Sequence, residues 1–126
     1  MGLDMYAFST TPETIGDQLI DITPLNGTGE VQEIAYWRKF NALHGWMHEL
    51  YLRRGGKEEF NCVKIRILPE DIDRLEKEVD QLKPCSGFFF GPQEVYPEDI
   101  EEVHIFIEKA RKEFADGRVV MYDSWW

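Results

Sequence analysis

The sequence is poor in cysteine and contains no long hydrophobic run. Its 126 residues include only two cysteines, Cys62 and Cys85, which form no Cys-x-x-Cys pair. A disulfide framework or a cysteine-based zinc site is therefore not indicated. No stretch of about 18 consecutive apolar residues is present, so the sequence predicts no transmembrane helix and no membrane partner.

We expect no export signal, because Met1 to Asp4 show neither the basic nor the apolar part of a signal peptide. We therefore predict a cytoplasmic protein with reduced thiols. A composition that is 43% apolar and 13% aromatic is typical of a folded interior. For this length it predicts a single domain over residues 1–126.

Basic residues are scarce, at 14 against 24 acidic residues, which gives a net charge of -10. This balance argues against direct nucleic-acid binding by neutralisation of phosphates. The charge is uneven, since residues 38–66 hold seven bases and three acids whereas residues 67–126 hold fifteen acids and seven bases. An acidic mimic of nucleic acid is a minor alternative, although the helix dipole explains carboxylates at helix starts.

Hydrophobic periodicity predicts elements in the order β-α-β-α-(β)-α-β. Strands are expected at Leu3 to Phe8, Cys62 to Leu68 and Arg118 to Tyr122, with an optional strand within Gly87 to Pro92, and a long loop spans residues 9–29. Helices are expected over about Glu30 to Arg54, from Pro69 to Leu82 and from Pro97 to about Asp116. We predict an α+β fold, a two-layer sandwich with about three helices on a small mixed sheet of three to four strands.

Four stretches form a joint pattern that covers nearly the whole chain: MGLDMY at Met1 to Tyr6, a segment with YWRK and LHGWM within Glu33 to Met47, GFFFG at Gly87 to Gly91, and YDSWW at Tyr122 to Trp126. This pattern resembles a family of small uncharacterised proteins common in phages and in prophage regions of bacteria. The resemblance implies a phage-linked cytoplasmic setting. It implies no activity, cofactor or catalytic residue.

The predicted helix over Glu30 to Arg54 carries the candidate site. Its second face would align Glu33, Trp37, Asn41, His44 and His48, with Arg38 and Lys39 beside it. An indole, a guanidinium and an imidazole on one surface suit an anion, a nucleotide or a peptide carboxylate. We predict the ligand-binding residues Trp37, Arg38, Lys39, Asn41, His44 and Phe89. In the alternative interpretation, Trp37 belongs to the core and the polar groups satisfy nearby backbone.

Other chemistry has weaker signals, and we predict no catalytic residue, metal or cofactor. His44 and His48 have the spacing of a metal-binding pair, but no third ligand is indicated. Neither Cys62 nor Cys85 has a nucleophile signature around it, and Cys62 is expected to be a small core residue. Asp4 shares a strand face with aromatic residues and is expected to pair with a base such as Arg38.

These observations favour a phage-linked binding protein that acts on a host protein partner without catalysis. Its anchors would be the helix from Tyr36 to His48, the aromatic segment Phe88 to Phe90 and the C-terminal tryptophans. The alternative is a small ligand-binding domain or enzyme centred on Trp37, Arg38, Asn41 and His44.

Overall fold

A computed structural model describes residues 3–23, 25, 30–82 and 95–126. Their elements are β1 (Asp4–Thr10), α1 (Pro12–Ile15), β2 (Gln32–Arg38), α2 (Asn41–Arg53), β3 (Ile65–Ile67), α3 (Pro69–Glu78), a 3₁₀ turn (Val79–Gln81), α4 (Pro97–Ala115) and β4 (Val119–Trp125). The predicted α+β class is confirmed. The optional strand within Gly87 to Pro92 lies outside the described residues.

The four strands form one sheet in the order β2-β1-β4-β3. Every neighbouring pair is antiparallel, so the prediction of a mixed sheet is wrong in this detail. The alternation of apolar and polar residues along the strands is typical of antiparallel sheets, which bury one face and leave the other free for polar side chains. The central strands β1 and β4 pair along their whole length, from Asp4 with Trp125 to Thr10 with Val119.

The main core lies between one face of the sheet and the helices α2, α3 and α4. The sheet contributes Met5 and Ala7 from β1 together with Val120 and Tyr122 from β4, all inaccessible to water. The helices contribute a larger buried set: Leu43, Met47, Leu50, Ile72, Leu75, Val103, Phe106, Ile107 and Ala110. The predicted layer of helices on one sheet face is therefore confirmed.

Among the described residues, the cluster that packs on the other face of the sheet lies at one end of it. There, Ile15 and Ile22 pack on Val119 and Met121 of β4, with Phe8 at the margin.

The loop that contains Leu19 and Ile22 also covers the outer edge of the sheet, beside β3. Arg66 donates its backbone N–H to the carbonyl of Leu19 at 2.9 Å, and Ile22 donates its backbone N–H to the carbonyl of Lys64 at 3.2 Å.

The predicted helix over Glu30 to Arg54 is wrong in its first half. Gln32–Arg38 form β2 along β1, and α2 begins only at Asn41. Between the two elements, Lys39 has a φ of 60°. This left-handed conformation belongs to neither a helix nor a strand, so the chain turns here. Strand pairing satisfies the backbone of β2 and buries Trp37, and these long-range contacts outweigh a helix-like spacing of apolar residues.

Helices α3 and α4 begin where the sequence predicts, because proline and an acidic residue mark both starts. Pro69 and Pro97 are the first helical residues, where a missing N–H costs nothing. Two residues later, the carboxylates of Asp71 and Asp99 accept the backbone N–H groups just before each helix, at 2.8 and 2.9 Å. No helix among the described residues is long and apolar enough to cross a membrane.

Candidate functional site

The residues of the predicted ligand site are separated, because some lie in strand β2 and others in helix α2. Trp37 and Arg38 are neighbours in β2 and therefore point to opposite faces of the sheet. Trp37 is buried in the main core, with its ring edge against Phe106 at 5.2 Å, whereas Arg38 is exposed. Lys39 is half-buried in the turn that follows, and Phe89 lies outside the described residues.

The remaining two predicted residues, Asn41 and His44, lie on the buried side of α2. His44 is inaccessible to water; its Nδ1 atom lies 2.7 Å from the hydroxyl of Tyr122, and its ring stacks on Phe60 at 5.1 Å. Burial, reinforced by the charge of nearby His48, lowers the pKa of His44 to about 3. The imidazole is therefore neutral at physiological pH and belongs to the core.

The two histidines with the spacing of a metal-binding pair both stack on Phe60. The ring of His48 is parallel to that of Phe60 with a centroid distance of 5.1 Å, the same distance as for His44. Within the described ranges, no three His, Cys, Asp or Glu residues form a metal-binding group. Cys62 is exposed at a φ of 59°, so the prediction that it is a core residue is wrong; Cys85 lies outside the described residues.

Sequence reasoning named Arg38, Asp4 and the C-terminal tryptophans separately, but it did not group Arg38, Asp4 and Trp125 on the second sheet face, where the strand register places them. In the strand register, Asp4 lies between Arg38 and Trp125, and Tyr6 lies between Tyr36 and Asp123. Residues directly opposite each other in an antiparallel sheet share a face. We call this surface the open face; it consists of Asp4, Tyr6, Tyr36, Arg38, Asp123 and Trp125.

Two aromatic rings of the open face are exposed, and its two tyrosine rings contact each other. Trp125 is 62% exposed and Tyr36 is 48% exposed. The ring of Tyr6 lies 5.2 Å from that of Tyr36 and 5.8 Å from that of Phe8, so that three rings form a row across two strands. The open face therefore presents exposed aromatic rings to the solvent, and its tyrosines are held by ring contacts.

The two carboxylates of the open face have partners nearby. The Tyr36 hydroxyl donates a hydrogen bond of 2.6 Å to Asp4 Oδ1, and this bond raises the pKa of Tyr36. The partner of Asp4 is thus a phenol and not the predicted Arg38, which lies directly across from it. Lys64 Nζ lies 3.3 Å from Asp123 Oδ2.

A second surface feature is a shallow groove of about 190 Å³ between β2 and α4, lined by Ile34, Ala35, Tyr36, Trp37, Glu102, Ile105, Phe106 and Lys109. Lys109 Nζ reaches across it and donates to the carbonyl of Ile34 at 3.3 Å. A bulge also interrupts β2, between the pairs Ala7–Ala35 and Phe8–Glu33. A bulge and a lysine at a sheet edge both hinder the addition of another strand, so we do not place the site here.

Comparisons with protein-family models, with curated protein sequences and with solved structures find no match for this chain. A functional conclusion therefore depends on the geometry of its own residues. Of the two surfaces described, the open face combines exposed aromatic rings, a guanidinium and carboxylates on a rigid sheet. It is the candidate functional site.

Proposed function

We propose that this protein is a non-catalytic binding protein that attaches to a protein partner through the open face. The observation that carries the proposal is the exposure of Trp125, Tyr36 and Arg38 together on one face of the sheet, in a part that the described residues leave open. Tryptophan, tyrosine and arginine are the residue types most enriched among the energetic centres of protein interfaces. A protein surface is therefore the occupant that these side chains fit best.

The contacts that hold Tyr36 in place support this role. Tyr36 is held by its hydrogen bond to Asp4 and by the ring of Tyr6. Side chains that are already fixed lose little conformational freedom when a partner docks, so more of the contact energy appears as affinity.

The charge of the chain indicates the type of partner. A net charge of -10 accelerates encounters with basic surfaces and repels acidic ones. The motifs that resemble phage and prophage proteins lead us to propose that the partner is a protein of the bacterial host, met in the cytoplasm. We therefore propose a host protein with a basic docking surface.

The geometry gives less support to the two alternatives. A ligand site or enzyme centred on Trp37, Arg38, Asn41 and His44 would need these groups at one surface, but three of them are buried in the core. A nucleic-acid mimic would need an unbroken acidic surface. Arg111 of α4 interrupts it, with ion pairs to Asp73 at 3.0 Å and to Glu76 at 2.8 Å.

The proposal is tested by affinity capture from a bacterial lysate with three immobilised proteins. They are the wild type, the double variant Tyr36→Ser with Trp125→Ser, and the control Leu52→Ser. Leu52 is 54% exposed on α2, on the other side of the sheet, so its substitution removes a similar exposed apolar group from a distant surface. A basic host protein retained by the wild type and by Leu52→Ser, but lost from the double variant, supports the proposal. Equal retention by all three proteins, or by none, contradicts it.

A further inference from the structure

We propose that the open face receives a cationic side chain of the partner, an arginine or a lysine, on the indole of Trp125 beside Asp4. This inference rests on the proposed function and specifies the chemistry of the contact. It follows from the relative positions of one exposed ring and one carboxylate, and from a matching arrangement elsewhere in the molecule.

The indole and the carboxylate are direct neighbours across the two central strands. Asp4 and Trp125 are register partners at the end of the β1–β4 pair. The Cβ atoms of such partners are about 5 Å apart, so both side chains border one spot on the sheet. Because Trp125 is 62% exposed, most of its ring surface is accessible there to an incoming group.

Elsewhere in the protein, a tryptophan ring, a cation and a carboxylate already occur together. The guanidinium carbon of Arg74 lies over the ring of Trp46, 4.4 Å from its centroid. Glu78 completes the set, because it accepts a hydrogen bond from Trp46 Nε1 at 3.1 Å and lies 4.0 Å from Arg74 Nε. Tryptophan, a cation and a carboxylate thus stabilise one another on the helical side of the molecule.

At the open face the tryptophan and the carboxylate are present, and the proposed partner supplies the cation. No arginine or lysine from the part of the chain that the structure describes lies over Trp125. One carboxylate oxygen of Asp4 accepts a hydrogen bond from the hydroxyl of Tyr36. A carboxylate offers about four acceptor positions on two oxygens, so it retains capacity for a guanidinium or an ammonium group.

The neighbouring charges are consistent with a cationic occupant. Lys64 forms an ion pair with Asp123, with 3.3 Å between Nζ and Oδ2. Arg38 lies on the far side of Asp4, one strand away from Trp125. Its charge opposes an incoming cation, so removing it should strengthen the proposed contact.

The test is an NMR titration of the ¹⁵N-labelled full chain with N-acetyl-arginine amide. The control probe is N-acetyl-citrulline amide, which has the same shape but a neutral ureido group. The indole N–H signal of Trp125 is assigned with Trp125→Phe. We expect this signal to shift with the arginine probe in a saturable way, and to shift much less with the citrulline probe.

Two further variants identify the carboxylate and the opposing charge. Asp4→Asn should weaken binding of the arginine probe about threefold or more, whereas Arg38→Gln should tighten it. Amide spectra of both variants report whether the fold is retained, and Asp4→Glu keeps the charge if Asp4→Asn does not fold. Equal shifts with both probes, or an unshifted Trp125 signal with the arginine probe, overturn the inference. If host-protein capture still depends on Trp125 and Tyr36, the proposed function stands although this contact chemistry is wrong.

Discussion

Inside the core, His44 Nδ1 lies 2.7 Å from the hydroxyl oxygen of Tyr122, and both side chains are inaccessible to water. This contact joins α2 to the central strand β4. Phe60 stacks against both rings, at 5.1 Å from His44 and 5.9 Å from Tyr122. The histidine that the sequence suggested as a ligand-binding group is thus part of the packing between helix and sheet.

The first prediction concerns the pH dependence of stability. The pKa of His44 is about 3 in the folded state and about 6.5 in the unfolded chain, so the unfolded chain binds the extra proton first as pH falls. The contribution of His44 is therefore complete above about pH 6.5 and is lost as pH falls towards 3. At pH 4 the loss amounts to about 3 kcal/mol.

We expect His44→Gln to flatten the slope of unfolding free energy against pH in this interval, as measured by urea denaturation. His104→Gln is the control, because His104 is exposed on α4. An unchanged slope in His44→Gln would show that this histidine is not the group responsible.

The second prediction concerns the two adjacent C-terminal tryptophans, which have different surroundings. Trp126 is pinned, because its Nε1 donates to the carbonyl of Phe60 at 2.9 Å and its backbone N–H donates to Asn61 Oδ1 at 2.9 Å. Trp125 is 62% exposed. We expect Trp126→Ala to lower the unfolding free energy by about 1–3 kcal/mol, and Trp125→Ala to change it by less than about 0.5 kcal/mol.

Thermal and urea unfolding of the two variants check this prediction. In the proposed function, Trp125 acts in binding and Trp126 acts in folding. A larger loss of stability in Trp125→Ala than in Trp126→Ala would mean that Trp125 is part of the packed structure, contrary to its placement on the open face.

The third prediction concerns Gly56, whose lack of a side chain allows the chain to lie against the ring of Tyr51. A Cβ atom at this position would lie 2.3 Å from the Cζ atom of Tyr51, which is fully buried. The Tyr51 hydroxyl is also fixed by Asp21 at 2.9 Å, so the ring cannot move away easily. We expect Gly56→Ala to destabilise the fold by about 1–3 kcal/mol through overpacking.

Gly55→Ala is a useful comparison for Gly56→Ala in the same unfolding assay. Nothing lies within 4 Å of a Cβ atom at Gly55, where the only cost is the left-handed backbone at a φ of 89°. The two variants separate steric contact from backbone strain. Wild-type stability in Gly56→Ala would contradict the close approach to Tyr51.

The fourth prediction concerns a buried ion pair that connects α2 to the start of α3. Arg54 contacts both Asp71 and the carbonyl of Arg66, and the carboxylate of Asp71 also accepts the N–H of Leu68. The side chains of Arg54 and Asp71 are only 14% and 10% exposed, respectively. We expect Asp71→Ala to cost about 3 kcal/mol, because it leaves the guanidinium buried without its partner.

The exposed ion pair of Arg53 and Glu49 on α2 provides the control for Asp71→Ala. Glu49→Ala should change the unfolding free energy by less than about 1 kcal/mol, since water screens this pair. Equal effects of the two substitutions would show that burial of the Arg54–Asp71 pair has no energetic consequence.

Much of the fold could be predicted because its signals are local. The alternation of Leu3, Met5 and Ala7 predicts the buried side of β1, and proline followed by acidic residues predicts the starts of α3 and α4. Strand β2 could not be predicted in this way. Its partner β1 lies about 30 residues earlier, and the left-handed turn at Lys39 has no distinctive residue to mark it.

The error in β2 also explains why the open face was missed. A continuous helix would place Trp37 and Arg38 near His44, whereas a strand puts Tyr36 and Arg38 on one face and Trp37 on the other. The neighbours of Arg38 on the open face come from β1 and β4, and only the strand register brings them together. Pairing between strands that are far apart in the chain produces no periodic pattern in a single sequence.

The most direct measurement for the central claim is an NMR map of the docking surface. The basic host protein isolated by affinity capture is purified and added to the ¹⁵N-labelled chain, and the shifted signals are located on the fold. We expect the shifts to concentrate at Tyr6, Tyr36 and Trp125, with α3 and the outer side of α4 unchanged. Shifts confined to α3 and α4, with the open face unchanged, would contradict the account.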